Sequence, residues 1–213
     1  MTTQETRRRL PSAQRREQLL AAALEEFGRR GFHATQMEHV AAAARVSKAL
    51  LYQHFASKDE LFAEVALGIV SEVSGRFAAA APAGTASLER MRAMVRVLFD
   101  YATEEPLAWS LVVRHLDKPE VGASLREIRE RFGAAFADLL LARRRADPAL
   151  SAGALAVNER RARLLVPLVY GSVLSMVSWW LEHPDIPREQ AESMAVEYVW
   201  LGLDRIRSGE RLR

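Results

Sequence analysis

The chain has 213 residues, 49% of them apolar and 27% charged, with a formal net charge of +3. That apolar share supplies a core of ordinary size and excludes a wholly disordered chain. Cysteine is absent, which excludes disulfides, thiolate metal sites and cysteine nucleophiles and fits the reducing cytoplasm. The N-terminus is polar and Arg-rich with no apolar run, so it does not read as a signal peptide. The charge is uneven: residues 1–58 hold ten Lys/Arg against five Asp/Glu, which leaves −2 for the remainder. A basic first quarter points to a polyanion partner at that end.

Residues 1–11 read as a flexible basic arm. Its run Arg7-Arg8-Arg9 is either a tail touching DNA phosphates or the minor groove, or a solvated terminus. Ser12 to Arg30 reads as the first helix, capped by Ser12. Leu19, Ala23 and Phe27 recur at i, i+4, i+8, with Leu20 and Leu24 beside them, so a broad stripe faces a core. Gly31 is placed to end that helix with a left-handed residue, and Phe32 packs back behind it. Two short helices follow, about Gln36 to Ala43 and about Lys48 to His54. Thr35 with Glu38 three residues on has the form of a capping box, Met37, Val40 and Ala41 make one apolar face, and Ser47 stands where a second cap is needed. Two helices joined by so short a turn form a helix-turn-helix, whose second helix enters the DNA major groove. The DNA-binding domain is placed at residues 12–57.

Residues 58–213 are expected to form a helical ligand-binding and dimerisation domain. Lys58 to about Ala81 reads as one long helix capped by Ser57, with Asp59 and Glu60 in its first turn and Leu61, Phe62, Val65, Ile69, Val70 and Val73 on its apolar side. Pro82 and Gly84 break the pattern. Helices are then expected at 85–103, Pro106 to Leu116, 119–146, Glu159 to His183 and Pro187 to Arg207, with a small-residue connection at 147–157. The fold class is therefore all-α, with about nine helices. The uncharged run Leu164–Leu181 is of borderline length for a membrane span, but Pro167, Gly171, Ser172, Ser175 and Ser178 interrupt it and charges flank it closely. Gly171, Ser175 and Ser178 recur on one face, which lets a second helix approach. In the last helix Met194, Tyr198 and Leu201 lie on one side and Val196, Val199 and Leu203 on the other, with Trp200 between. A helix apolar on two sides is buried on both, so these two helices read as half of a four-helix dimer interface. Met94, Phe99, Tyr101, Trp109, His115, Phe136, Tyr170 and Met176 suit an apolar pocket with a few polar anchors.

The N-terminal 50 residues resemble the tetracycline-repressor (TetR) family of transcriptional regulators. The matching pieces are Ala22, Phe27, Gly31-Phe32, Thr35, Val40-Ala41, Ala44, Val46-Ser47-Lys48, Leu51-Tyr52, His54-Phe55, Ser57-Lys58 and Leu61. The run LLYQHFASKDELF is the most specific of them. The remaining 150 residues are similar only in helix number, helix lengths and the joint WWLEHPDIPREQA. The resemblance implies an all-α homodimer whose second domain binds a small molecule, and whose ligand releases DNA. Two positions depart from the pattern: Arg45 replaces a glycine in the turn, and Leu50 replaces a threonine in the recognition helix. A left-handed backbone at Arg45 would cost about 1 kcal/mol, either offset by a phosphate contact or simply tolerated on the surface. Leu50 suits a thymine methyl.

At the DNA, Lys48 suits guanine and Gln53 adenine, and Ala49 is short enough for close approach. Tyr52, His54 and Lys58 have core or solvated readings, against which the resemblance favours phosphate contact. The helix N-termini at Thr35 and Lys58 would add N–H donors. No histidine pair has metal-ligand spacing on a helix, and no nucleotide-binding or nucleophile-elbow motif occurs, so no metal, cofactor or catalytic residue is expected. The function expected is a ligand-responsive DNA-binding transcription regulator. It is read as a repressor released from a pseudo-palindromic operator by a small apolar or amphipathic effector, with a ligand-independent binder or an activator as alternatives.

Overall fold

The computed structural model describes residues 11–82, 84–115 and 151–207. Eight helices occur there and no strand: α1 Ser12–Ala34, α2 Met37–Ala43, α3 Lys48–His54, α4 Lys58–Ala80, α5 Ser87–Glu104, α6 Pro106–His115, α7 Ala152–Leu181 and α8 Arg188–Arg207. The all-α class follows the apolar periodicities. Arg7–Arg9, the expected helix 119–146 with Phe136, and the first residues of the expected connection lie outside the described residues. The chain divides into two compact units, Met1–Gly68 and Ile69–Arg213.

The first unit is built on α1. Leu19, Ala23 and Phe27 are fully buried. Phe27 meets the Phe62 ring edge-on at 5.1 Å, and Phe32 meets it at 5.0 Å. Leu61, Phe62 and Val65 of α4 are buried in this core. The division between the units therefore falls inside α4, later than position 57. Ser12 does not cap α1; the cap position is Pro11 and no side chain bonds there. Gly31 breaks α1 at φ 78°, ψ 165°, a region that only glycine occupies readily.

Thr35 behaves differently from expectation. The cap residue of α2 is Gln36, whose N–H donates to His39 Nδ1 at 3.2 Å. Thr35 is fully buried, and its hydroxyl proton is shared between the carbonyls of Gly31 (2.8 Å) and Glu26 (3.1 Å). The break at Gly31 leaves α1 carbonyls without helical partners. The nearest buried donor closes them, so it is not available to α2. The second and third caps match expectation. Ser47 Oγ accepts from Leu50 N–H at 3.2 Å, and Ser57 Oγ accepts from Glu60 N–H at 3.1 Å. Glu60 in turn accepts from Ala56 N–H.

In the second unit α5 packs against α6, α7 and α8, and α7 packs against α8. Met91, Val95, Phe99 and Ala102 of α5 are buried, with Val169, Val173 and Val177 of α7 and Ala195 and Val199 of α8. Phe99 packs on Trp180 at 5.1 Å, and Trp180 Nε1 donates to Ile186 O at 3.0 Å, which fixes the α7–α8 turn. Arg188 at the start of α8 pairs with Asp100 of α5 and Glu192 of its own helix. α7 begins at Ala152, seven residues before Glu159, so the expected connection is helical from 152 onward. Its residues (Ala-Gly-Ala-Leu-Ala-Val) are mostly strong helix formers. Among the described residues no helix is long and apolar enough to cross a membrane.

Gly31→Ala should destabilise the fold by about 1–3 kcal/mol, through backbone strain alone, because a Cβ there meets nothing within 4 Å. The midpoint of chemical denaturation checks this.

Candidate functional site

α3 is short, and its buried residue is Leu51. Phe55, just past its end, is buried too. Lys48, Ala49, Tyr52 and Gln53 are exposed, and Leu50 and His54 are half-buried. The helix thus holds the core by one side and leaves the rest free. Two side chains of α1 secure the ends of this motif. Gln18 Nε2 donates to Ala44 O at 2.9 Å, at the end of α2. Arg16 donates to His54 O at 3.3 Å, lies 4.5 Å from the Phe55 ring and pairs with Glu64 at 3.2 Å.

The turn between α2 and α3 is a Schellman motif. Val46 N–H donates to Ala41 O at 2.9 Å and Arg45 N–H to Ala42 O at 3.0 Å. This requires a left-handed residue, and Arg45 supplies it at φ 55°. The strain anticipated for a non-glycine residue there is present, and the Arg45 side chain is exposed beside the motif.

Lys48 and Lys58 both have partners within the fold. Lys48 Nζ is hydrogen-bonded to Glu38 of α2 and lies 5.7 Å from the Tyr52 ring. That hydrogen bond holds the Glu38 carboxyl below its usual range and raises the Lys48 ammonium. Glu38 therefore does not complete a capping box; it bridges the two helices. Lys58 Nζ donates to Phe32 O and Thr35 O, both at 3.0 Å, and lies 4.4 Å from the Phe32 ring. Two of its three protons close the end of α1, and one is left for any phosphate. The Thr35 side chain, being buried, cannot face a groove, and its N–H is taken by Gly31 O at 3.2 Å. Thr35 is thus a correction to the expected contact set.

The second unit holds a narrow apolar pocket, whose empty space is about 420 Å³ when its solvent-open mouth is counted. Ile69, Val70 and Val73 of α4 line it, with Leu98 and Tyr101 of α5, Trp109 and Val112 of α6, and Tyr170 and Leu174 of α7. Of the expected pocket residues, Tyr101, Trp109 and Tyr170 are there. Phe99 is buried against Trp180 instead, and Met94 and Met176 are half-buried outside the lining. His115 ends α6, but its side chain, like Phe136, lies outside what is described. The α4 contribution was missed because a valine stripe looks the same whether it meets a core or a cavity. The Arg76 guanidinium lies over the Tyr101 ring, 5.0 Å from its centroid. Burial pushes the Tyr101 hydroxyl well above the usual tyrosine range, and the Glu72 charge adds to this, so it stays protonated.

α7 and α8 also present large apolar side chains outward. Leu164, Leu168, Trp179, Met194, Tyr198 and Leu201 are exposed, Leu168 at 68% and Tyr198 at 69%. Ser175 is exposed among them, and Gly171 and Ser178 are half-buried. The opposite side of α8, with Val196 and Val199, is buried in the chain's own core.

Glu38→Gln should strengthen DNA binding severalfold and steepen its salt dependence by up to about one unit of slope, since Lys48 is freed and a surface anion removed. Thermal stability should hardly change, because the pair is exposed. Fluorescence anisotropy titrations across a salt series measure both. Unchanged affinity and slope would deny Lys48 a part in binding.

Residues 19–65 match the family described as bacterial regulatory proteins, tetR family. The chain is 34% identical over 201 residues to the HTH-type transcriptional activator FasR of Mycolicibacterium smegmatis, covering 93% of this chain and 87% of that protein. A TetR-like transcriptional regulator from Rhodococcus sp. RHA1 superposes with a TM-score of 0.70 at 26% identity, over 92% of this chain and 99% of that one. The transcriptional regulator FadR of Bacillus subtilis, solved in complex with stearoyl-CoA, superposes at 0.65 with 16% identity, over 92% and 99%. With a helix-turn-helix at its N-terminal end and a helical body behind it, the chain belongs to the TetR family of bacterial transcription regulators.

Proposed function

We propose that α3 reads the major groove of an operator and that the second unit binds an effector and pairs with a second copy. In this reading the protein is a cytoplasmic repressor released from a pseudo-palindromic site by a small apolar or amphipathic molecule. One observation carries the DNA role: α3 spends Leu51 on the core and leaves Lys48, Ala49, Tyr52 and Gln53 exposed. Gln53 then reads adenine and Lys48 guanine, with Ala49 allowing close approach. Leu50 meets a thymine methyl. Arg45, Ser47, Tyr52, His54 and the remaining proton of Lys58 hold phosphates, which position the helix without reading sequence.

The outward apolar side chains of α7 and α8 support a homodimer, since contiguous patches of that kind mark interaction sites. Gly171, Ser175 and Ser178 allow close approach beside Met194, Tyr198 and Leu201. The cavity supports an effector role, and FadR of Bacillus subtilis, a similar fold, was solved with stearoyl-CoA. An effector acts only by preferring the state that holds DNA poorly. α4 is the proposed transmitter: it gives Leu61, Phe62 and Val65 to the core of the first unit and Ile69, Val70 and Val73 to the cavity of the second. A second reading, activation in place of repression, is favoured by the name of the FasR relative.

Selection of bound DNA from a random pool tests the whole proposal. Two inverted half-sites are expected, and a single asymmetric site would sink the dimer. Gln53→Ala should cost about 1–3 kcal/mol at the selected site and relax preference at one base pair. Tyr198→Asp should give a folded monomer in light scattering with operator affinity lost. A Tyr198→Asp dimer that binds normally would move the interface elsewhere.

A further inference from the structure

We propose that the cavity of the second unit takes a neutral, largely apolar molecule through one carbonyl-type oxygen, hydrogen-bonded to the Trp109 indole N–H; this rests on the effector reading above. Trp109 lines the cavity and is 5% exposed. Its Nε1 is buried and meets no acceptor among the described residues. An indole nitrogen can only donate, and buried donors are almost always paired. Among the described residues nothing supplies that acceptor, which leaves the indole N–H for a bound molecule.

The rest of the lining decides what kind of acceptor. Among the described residues no lining side chain carries a charge. Arg76, above the Tyr101 ring, is held by Glu72 and Glu104. A carboxylate would enter without a counter-ion, and a lone buried anion is strongly disfavoured. An ester, thioester, ketone or amide carbonyl on an apolar body meets every condition. A hydrocarbon fills the space but leaves the indole orphaned.

The test uses the full-length protein with methyl octanoate, methyl decanoate and methyl laurate as probes, set against the corresponding carboxylates and against decane. The chain has four tryptophans, so proton–nitrogen spectra show four indole N–H groups, and Trp109→Phe identifies that of Trp109. The best methyl ester should move the Trp109 resonance downfield, as a new hydrogen bond does, while decane should not. Trp109→Phe keeps a ring but no donor; it should weaken the ester roughly three- to tenfold and leave decane unchanged. The matching carboxylate should bind at least about tenfold more weakly than the ester. An ester bound equally by both proteins, with the Trp109 resonance unmoved, would overturn the anchor while leaving the cavity as an effector site. A carboxylate bound as tightly as its ester would overturn neutrality. If no probe of any length binds, the anchor fails together with the effector reading.

Discussion

The geometry of the first unit depends on how the end of α1 is closed. A helix leaves its last carbonyls unsatisfied, and α1 is broken at Gly31 before it finishes. The Thr35 hydroxyl answers Glu26 and Gly31, the Thr35 N–H answers Gly31 again, and Lys58 answers Phe32 and Thr35. That single junction sets where α2 starts and where α4 starts. The polar side of α1 then repeats the device on its neighbours, with Gln18 on the last turn of α2 and Arg16 on the last turn of α3. The recognition helix makes little core of its own. It is anchored by Leu51, with Phe55 just past its end, and by Arg16 of α1 at its last carbonyl.

This changes what the basic first quarter means. Its positive excess is real, yet much of it is committed: Arg16 to Glu64, Arg29 to Glu25, Arg30 to Glu26, Lys48 to Glu38 and Lys58 to two carbonyls. Net charge governs the long-range approach to a polyanion. Individual contacts depend on which cations stay available at short range, and the exposed Arg45 at the strained turn is one such group.

The parts of the fold legible in sequence were those set by local physics. The stripe Leu19–Ala23–Phe27 is a property of one helix, the caps at Ser47 and Ser57 act within one turn, and positive φ at Gly31 and Arg45 follows from where helices must stop. Illegible were the choices between partners distant in sequence. Thr35 is a good cap by type, but a nearer need took its hydroxyl. Lys58 looked like a phosphate ligand because nothing local showed carbonyls 23 and 26 residues earlier beside it. The aromatic, polar-tipped chemistry of Tyr101, Trp109 and Tyr170 suggests pocket residues in sequence, whereas Ile69, Val70 and Val73, which also line the pocket, carry no such mark. The start of α7 at Ala152 was lost because small residues serve loops and helices alike.

The Glu38–Lys48 bridge bears on how fast a regulator finds its site. On random DNA a phosphate must compete with a carboxylate already in place, so each chance encounter gains less and ends sooner. If Lys48 reads guanine as proposed, the base edge at the right sequence adds directional hydrogen bonds that compete with the carboxylate. On that reading, an internal anion of this kind would shorten stops along the genome more than residence at the operator, trading some affinity for a quicker search.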